Sequence, residues 1–243
     1  MLKIKEINIG YQKELICEPF SASITSPQTI ALIGHNGTGK TTLLKTLAGL
    51  IYPRYGNILI NGKELSSLSY TEKSRLISIV LTGFPPYLNL TPEEILKNTA
   101  NITGKKTEKA LIKAIELTGI SDILTKKFHN LSDGQKQKVM IARALAQNTP
   151  ILLLDEPFIH LDNTNKQLII NTLNSLKKEK IIIFSTHDYM TLQYSDRVWE
   201  ISAAKITDQN TEKFLTTSQH LKDFYNFYST LTVKQKKIKI NDK

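Results

Sequence analysis

Residues Thr29–Leu50 read TIALIGHNGTGKTTLLKTLAGL. TIALIG has the length and composition of a buried strand, and it stops at a glycine. TTLLKTLAGL, beginning at Thr41, has helical spacing. Between them GHNGTGKT, Gly34–Thr41, satisfies G-x-x-x-x-G-K-[ST] in the strand–loop–helix setting that the pattern requires. Gly34, Gly37 and Gly39 let successive backbone N–H groups turn inward around phosphate oxygens, with His35, Asn36 and Thr38 completing the loop. Lys40 brings a mobile charge to β- and γ-phosphates. Thr41 offers a hydroxyl to magnesium. The helix N-terminus, with Thr42 in its first turn, adds a favourable dipole.

Outward from this loop, strand and helix patterns alternate. Residues 1–33 are strand-like, with apolar positions at Leu2, Ile4, Ile7 and Ile9. GNILING sets Ile58 and Ile60 on one face before an Asn61–Gly62 turn. RLISIVL, 75–81, is a further apolar run. Over 92–128 apolar residues recur at helical spacing (Ile95, Leu96, Leu111, Ile112, Ile115, Leu117), which predicts a small helical insert. ILLLD and KIIIFSTH restore strands separated by helical patterns. The alternation predicts a parallel sheet covered on both faces.

ILLLDEP ends in Asp155 and Glu156. Ligands of open parallel sheets sit at the carboxyl ends of strands, so both acids are expected at the nucleotide. Asp155 suits a magnesium ligand, and Glu156 is placed to orient and deprotonate an attacking water. Kinases and GTPases need no carboxylate directly after the magnesium aspartate. His187 follows IIIFST, another strand end, in reach of the γ-phosphate or the water.

With 243 residues, 40% of them apolar, the chain buries a sizeable core unaided. A single cysteine, Cys17, rules out an intrachain disulfide and a cysteine zinc module. MLKIKEINIG alternates charged and aliphatic residues and does not read as a signal peptide. No run reaches the roughly 18 apolar residues that span a bilayer. The net charge of +10 reads as a lysine-rich surface with a basic tail, KQKKIKINDK, that lacks the aromatic interleaving of base stacking. HLKDFYNFYSTL aligns Leu221, Phe224, Tyr225 and Tyr228 on one helical face, expected to pack on its own domain.

The order phosphate loop, helical insert, LSDGQ, LLLDEP, FIHLD and STHD resembles the ATP-binding subunits of ABC transporters over roughly residues 1–205. The resemblance implies an α/β fold: a P-loop NTPase (RecA-like) core with an N-terminal antiparallel β subdomain and a helical insert subdomain at about 83–150. Residues 206–243 then form a C-terminal extension. It further implies ATP and Mg2+ as ligands, Tyr11 stacking on adenine, Lys40, Glu156 and His187 as catalytic, and Asp162 in the D-loop. Ser132, Gly134 and Gln135 of the signature turn serve the ATP held by a second copy, so that two ATP molecules lie at a homodimer interface.

Two departures stand out. Asp133 replaces a usual glycine; its carboxylate is expected to point away from phosphate and to weaken ATP-driven dimerisation slightly. Thr82 stands where the family places a magnesium-contacting glutamine, and no glutamine occurs between Gln28 and Gln135. Thr82 is therefore counted with Thr41 and Asp155 as a metal residue, with hydrolysis retained.

The resemblance implies transmembrane permease subunits docking near residues 82–100. It also implies an indirect periplasmic or surface binding protein, and a peripheral position on the cytoplasmic face of the membrane. VLTGFPPYLNLTPEEIL and LDEPFIHLD are similar to the branch importing iron-siderophore, haem or cobalamin compounds. An exporter ATPase, a soluble ABC ATPase acting on ribosomes or nucleic acid, and a non-catalytic nucleotide-binding regulator stay open. No nucleic-acid partner is expected.

Overall fold

A computed structural model describes residues 1–11, 14–84, 89–103 and 108–217. In chain order the strands and helices before the first long loop are β1 (Leu2–Asn8), β2 (Gly10–Tyr11), β3 (Glu14–Leu15), β4 (Phe20–Ile24), β5 (Gln28–Ile33), α1 (Lys40–Leu47), β6 (Tyr55–Ile60), β7 (Lys63–Glu64), α2 (Tyr70–Leu76) and β8 (Ile77–Val80). After it come α3 (Pro92–Thr103), α4 (Glu108–Thr118), α5 (Asp133–Ala146), β9 (Ile151–Leu154), α6 (Asn163–Leu176), β10 (Ile181–Ser185), β11 (Arg197–Ser202), β12 (Lys205–Asn210) and α7 (Thr211–Thr217).

Among the described residues, six strands pair in the order β12-β11-β5-β10-β9-β8; all pairs are parallel except β11 with β12. A four-stranded antiparallel sheet, β4-β1-β6-β7, forms a second layer. β9 and β10 are buried along their whole length. Strand side chains alternate between faces, so one apolar run feeds two cores. Ala31, Ile33, Leu152, Leu154, Ile182 and Phe184 face Val139, Ile141 and Leu145 of α5 and Ile169 and Leu173 of α6. Ile30, Leu32, Ile151, Leu153, Ile181 and Ile183 face Leu43, Leu44 and Leu47 of α1 and the antiparallel sheet. Each such aliphatic contributes about 1.5–3 kcal/mol on burial, and the parallel sheet is covered on both faces as expected.

The antiparallel layer explains an irregularity in the first residues. Leu2 and Ile4 face inward, but the next buried apolar residue is Ile7, not residue 6. Pairing with both neighbours shifts register between Ile4 and Asn8, and Glu6 adopts φ 47°. This is a β-bulge: one extra residue re-aims the strand so that Ile7 and Ile9 regain the core. Gly56, at φ 74°, lies against the bulge, where a Cβ would stand 2.2 Å from the Lys5 carbonyl oxygen and 2.4 Å from that of Glu6.

Two expectations change or move outside the structure: the end of the sheet and the C-terminal aromatic face. The apolar run RLISIVL divides between two elements: a reciprocal cap between Ser69 and Glu72 starts α2, which keeps Arg75 and Leu76 helical, and β8 begins at Ile77. Within the 83–150 span of the helical insert, α5 is a third long helix, packed against α3 and α4. The sheet also runs on past residue 205, because β11 and β12 form an edge hairpin. The aromatic face at Leu221, Phe224, Tyr225 and Tyr228 lies outside the described residues. No described helix is long and apolar enough to cross a membrane.

Gly56→Ala combines a left-handed backbone with a clash against main-chain oxygens. We expect it to lower stability by about 3 kcal/mol in urea unfolding, without loss of cooperativity.

Candidate nucleotide site

The phosphate loop leaves β5 at the carboxyl edge of the parallel sheet and enters α1. Helices α2, α3, α5 and α6 carry side-chain caps from Ser69, Thr91, Ser132 and Asp162. Among the described residues α1 has none: its cap position is Gly39 at φ 101°, with no side-chain hydrogen bond at the cap. An uncapped helix end behind a glycine loop suits an anion. Lys40 is buried and spans the loop, donating to the carbonyls of Gly34 (2.7 Å) and His35 (3.0 Å). Thr38 donates to the His35 carbonyl at 2.8 Å, while His35, Asn36 and Gly37 are exposed. Thr42 points into the fold and is buried.

Asp155, only 1% exposed, receives three hydroxyls. Thr41 (2.7 Å) and Thr82 (3.0 Å) donate to Oδ2, and Ser185 (2.7 Å) donates to Oδ1. They come from the start of α1, the loop after β8 and the end of β10. Ser185 also accepts the Glu156 N–H at 2.8 Å. Glu156 sits at φ 49°, a conformation an L-residue adopts at a cost when its surroundings demand it. Its Oε2 lies 3.0 Å from His187 Nδ1, with the Glu156 side chain 15% exposed and that of His187 65%. His187 faces Gly34, His35 and Asn36 across an open cleft.

The structure thus joins Thr41, Thr82, Asp155, Glu156 and His187 in one hydrogen-bonded cluster beside the loop. The signature turn is built differently. Ser132 Oγ accepts from the Gln135 N–H, and Gln135 Oε1 accepts from the Ser132 N–H. Both polar side chains are thus engaged in capping α5. Gly134 serves packing: a Cβ there would stand 2.7 Å from the carbonyl oxygen of His160. Among the described residues no hydrogen bond connects Ser132, Gly134, Gln135 or Asp162 to the phosphate loop. Asp162 caps α6; the backbone N–H of Asn165, then its side-chain amide, hold the Asp162 carboxyl below the usual range. Tyr11 pairs with Glu14 through its backbone, and its stacking assignment concerns a side chain outside those described.

Ser185 escaped the sequence reading. The available signal was a single hydroxyl residue closing an otherwise apolar strand, immediately before Thr186–His187. In the buried end of a parallel sheet such a hydroxyl needs a partner, and two lie on the neighbouring strand end.

A glycine phosphate loop after a central strand, with an acid pair ending a second parallel strand, defines a P-loop nucleotide hydrolase. The sequence matches the family described as ABC transporter over residues 17–159. It is 32% identical over 216 residues to an uncharacterized ABC transporter ATP-binding protein of Methanocaldococcus jannaschii, covering 85% of this chain and 74% of that one. It is 29% identical over 234 residues to the ferric enterobactin transport ATP-binding protein FepC of Escherichia coli, covering 92% and 86%. A solved structure of an ATP binding subunit of an ABC transporter superposes with a TM-score of 0.82 at 28% identity, covering 96% of this chain and 99% of that one. The chain belongs to the ABC transporter family as an ATP-binding subunit, a class that couples ATP hydrolysis to transport.

Two outcomes check this geometry. Gly134→Ala forces α5 away from the His160 carbonyl and should cost about 1–3 kcal/mol in denaturant unfolding. The second concerns pH. Backbone N–H groups of Ser69, Thr91 and Asn165 hold the carboxyls of Glu72, Glu94 and Asp162 below their usual values. Their stabilisation is complete above the unfolded values, about 4, and is lost as pH falls through the lower folded values. The melting temperature should therefore drop between about pH 5 and pH 3. Glu72→Gln/Glu94→Gln/Asp162→Asn should flatten that drop.

Proposed function

We propose that this chain hydrolyses ATP at the cluster around Asp155 and Glu156, and that two copies clasp two ATP molecules to drive import of an iron-siderophore or related metal-chelate compound. The observation that carries the hydrolytic reading is Glu156. It stands one residue beyond a carboxylate that gathers three hydroxyls, and it is held in a strained backbone with its Oε2 3.0 Å from His187.

Magnesium fits this cluster, since Thr41, Thr82 and Asp155 offer hard oxygen donors on one side of the loop. When bound, it offsets charge on the β- and γ-phosphoryl oxygens. The protein supplies the rest. Glu156 accepts a proton from water as the water oxygen bonds the γ-phosphorus; the bond from that phosphorus to the bridging oxygen breaks, and ADP leaves. His187 orients the base. Its Nδ1 lies 3.0 Å from Glu156 Oε2 and so fixes that carboxylate beside the phosphate loop. Lys40, already aimed into the loop, exchanges carbonyl oxygens for phosphate oxygens. Thr82, which stands where the family places a magnesium-contacting glutamine, donates to Asp155 Oδ2 at 3.0 Å and so stays beside the metal-binding oxygens. We read residues 82–100, of which 85–88 lie outside the described residues, as the docking surface for transmembrane permease subunits, and the chain as peripheral on the cytoplasmic face of the membrane. A periplasmic or surface binding protein acts only through the permease.

The two-copy arrangement rests on the geometry of the signature turn. Ser132, Gly134 and Gln135 have no described hydrogen bond to their own phosphate loop, so a second chain's nucleotide is their partner in our reading, as is the case for Asp162. The cargo assignment rests on similarity to FepC.

Glu156→Gln should lower ATP turnover by at least about 100-fold. With magnesium and ATP the variant should elute as a dimer, while the unsubstituted chain returns to monomer as it turns over. Cells relying on Glu156→Gln should take up iron-siderophore complexes only at background rate. Unimpaired uptake would remove the cargo assignment while leaving the ATPase reading intact.

A further inference from the structure

The signature turn presents a carboxylate where an incoming phosphate gains nothing from one. Asp133 is the first residue of α5, and its side chain is 58% exposed. The reciprocal cap takes up the N–H groups of Ser132 and Gln135. The Asp133 and Gly134 N–H groups are then the donors that this helix end leaves without an intrahelical partner. Neither has an acceptor among the described residues. Cα–Cβ bonds tilt towards a helix N-terminus, so an unrestrained carboxylate at this position leans over those two donors. A negative charge there repels polyphosphate.

Lys136 draws the carboxylate the other way. Its Nζ lies 3.1 Å from Asp133 Oδ1, one turn along α5. Lys136 is itself held: its side chain is 20% exposed, and Nζ lies 5.8 Å from the centroid of the Phe84 ring. Phe84 packs edge-on to Phe128 with centroids 6.1 Å apart, and its centroid is 6.3 Å from that of His160. The ammonium is therefore seated in a slot between α5 and the loop that begins at Thr82, unlike a freely solvated surface lysine.

We infer that Lys136 is a positioning residue for ATP-dependent dimerisation: it holds the Asp133 carboxylate along α5 and offsets its charge, leaving the Asp133 and Gly134 N–H groups open to phosphate presented by a second copy. The inference rests on the dimer reading above. Lys136 acts through Asp133 and does not touch nucleotide. An aspartate in this turn is thus tolerated because its counter-charge is built into the same helix.

The test uses the full chain carrying Glu156→Gln, with saturating magnesium and ATP, followed by sedimentation velocity. Lys136→Met retains most of the stem and removes the charge. It should raise the dimer dissociation constant roughly tenfold at low ionic strength, since each of the two turns in a dimer would then present an uncompensated Asp133 charge to phosphate. The effect should shrink towards none near 1 M salt. Lys136→Arg should restore dimerisation. In chains that also carry Asp133→Gly, Lys136→Met should change nothing further. Equal weakening with and without Asp133→Gly would mean that the lysine meets nucleotide or partner directly, and overturns the inference. So does unweakened dimerisation of Lys136→Met. A Glu156→Gln sample that stays monomeric with magnesium and ATP overturns the dimer reading itself, and this inference with it.

Discussion

Asp155 is a carboxylate removed from solvent, and three hydroxyls from distant parts of the chain meet on it. A buried carboxylate is tolerated only when its lone pairs are satisfied, because the desolvation penalty is several kcal/mol. Thr41, Thr82 and Ser185 must therefore arrive at one point. They do so because α1, the loop after β8 and the end of β10 all open at the carboxyl edge of the same parallel sheet. The site is the place where that geometric demand is met.

Strand order carries the demand through the fold. β10 lies between β5, which delivers the phosphate loop, and β9, which delivers Asp155 and Glu156. Its last residue, Ser185, bonds both the Asp155 side chain and the Glu156 backbone, and two residues later His187 reaches the Glu156 carboxylate. The strained φ of Glu156 is held by these contacts. On the far side, Gly134 lets α5 approach the His160 carbonyl, and Gln137 reaches the Pro157 carbonyl at 3.2 Å. The Ser132–Gln135 turn is thereby anchored to the segment that follows Asp155 and Glu156.

The phosphate loop was legible because it is a local device. Spacing of glycines, lysine and threonine within eight residues sets backbone conformation and charge together, with no need of distant neighbours. The alternating apolar runs were legible for the same reason: period two sends Ile30 and Leu32 to one core and Ala31 and Ile33 to the other. The hairpin of β11 and β12 was not. Its turn residues are Ala203 and Ala204, both at positive φ, where sequence signals call for glycine or asparagine. The alanines hold that shape because neighbours pin it, including the Glu18 N–H donating to the Ala204 carbonyl at 2.6 Å. Ser132 and Gln135 read as nucleotide contacts, yet within one chain they cap a helix; capping needs only local backbone, and a partner's phosphate needs a second molecule.

By itself the sequence determined the phosphate loop, the buried strands and the identity of the acid pair, since each depends on residues within a few positions of one another. Only the tertiary structure decided that Thr82 and Ser185 would share Asp155, that Glu156 would be bent into a left-handed backbone, and that Gly134 would face a carbonyl. Those outcomes hang on which strand lies beside which. Neighbouring strand ends come from residues 73 or 30 positions apart, and their meeting is set by packing of two cores against one sheet.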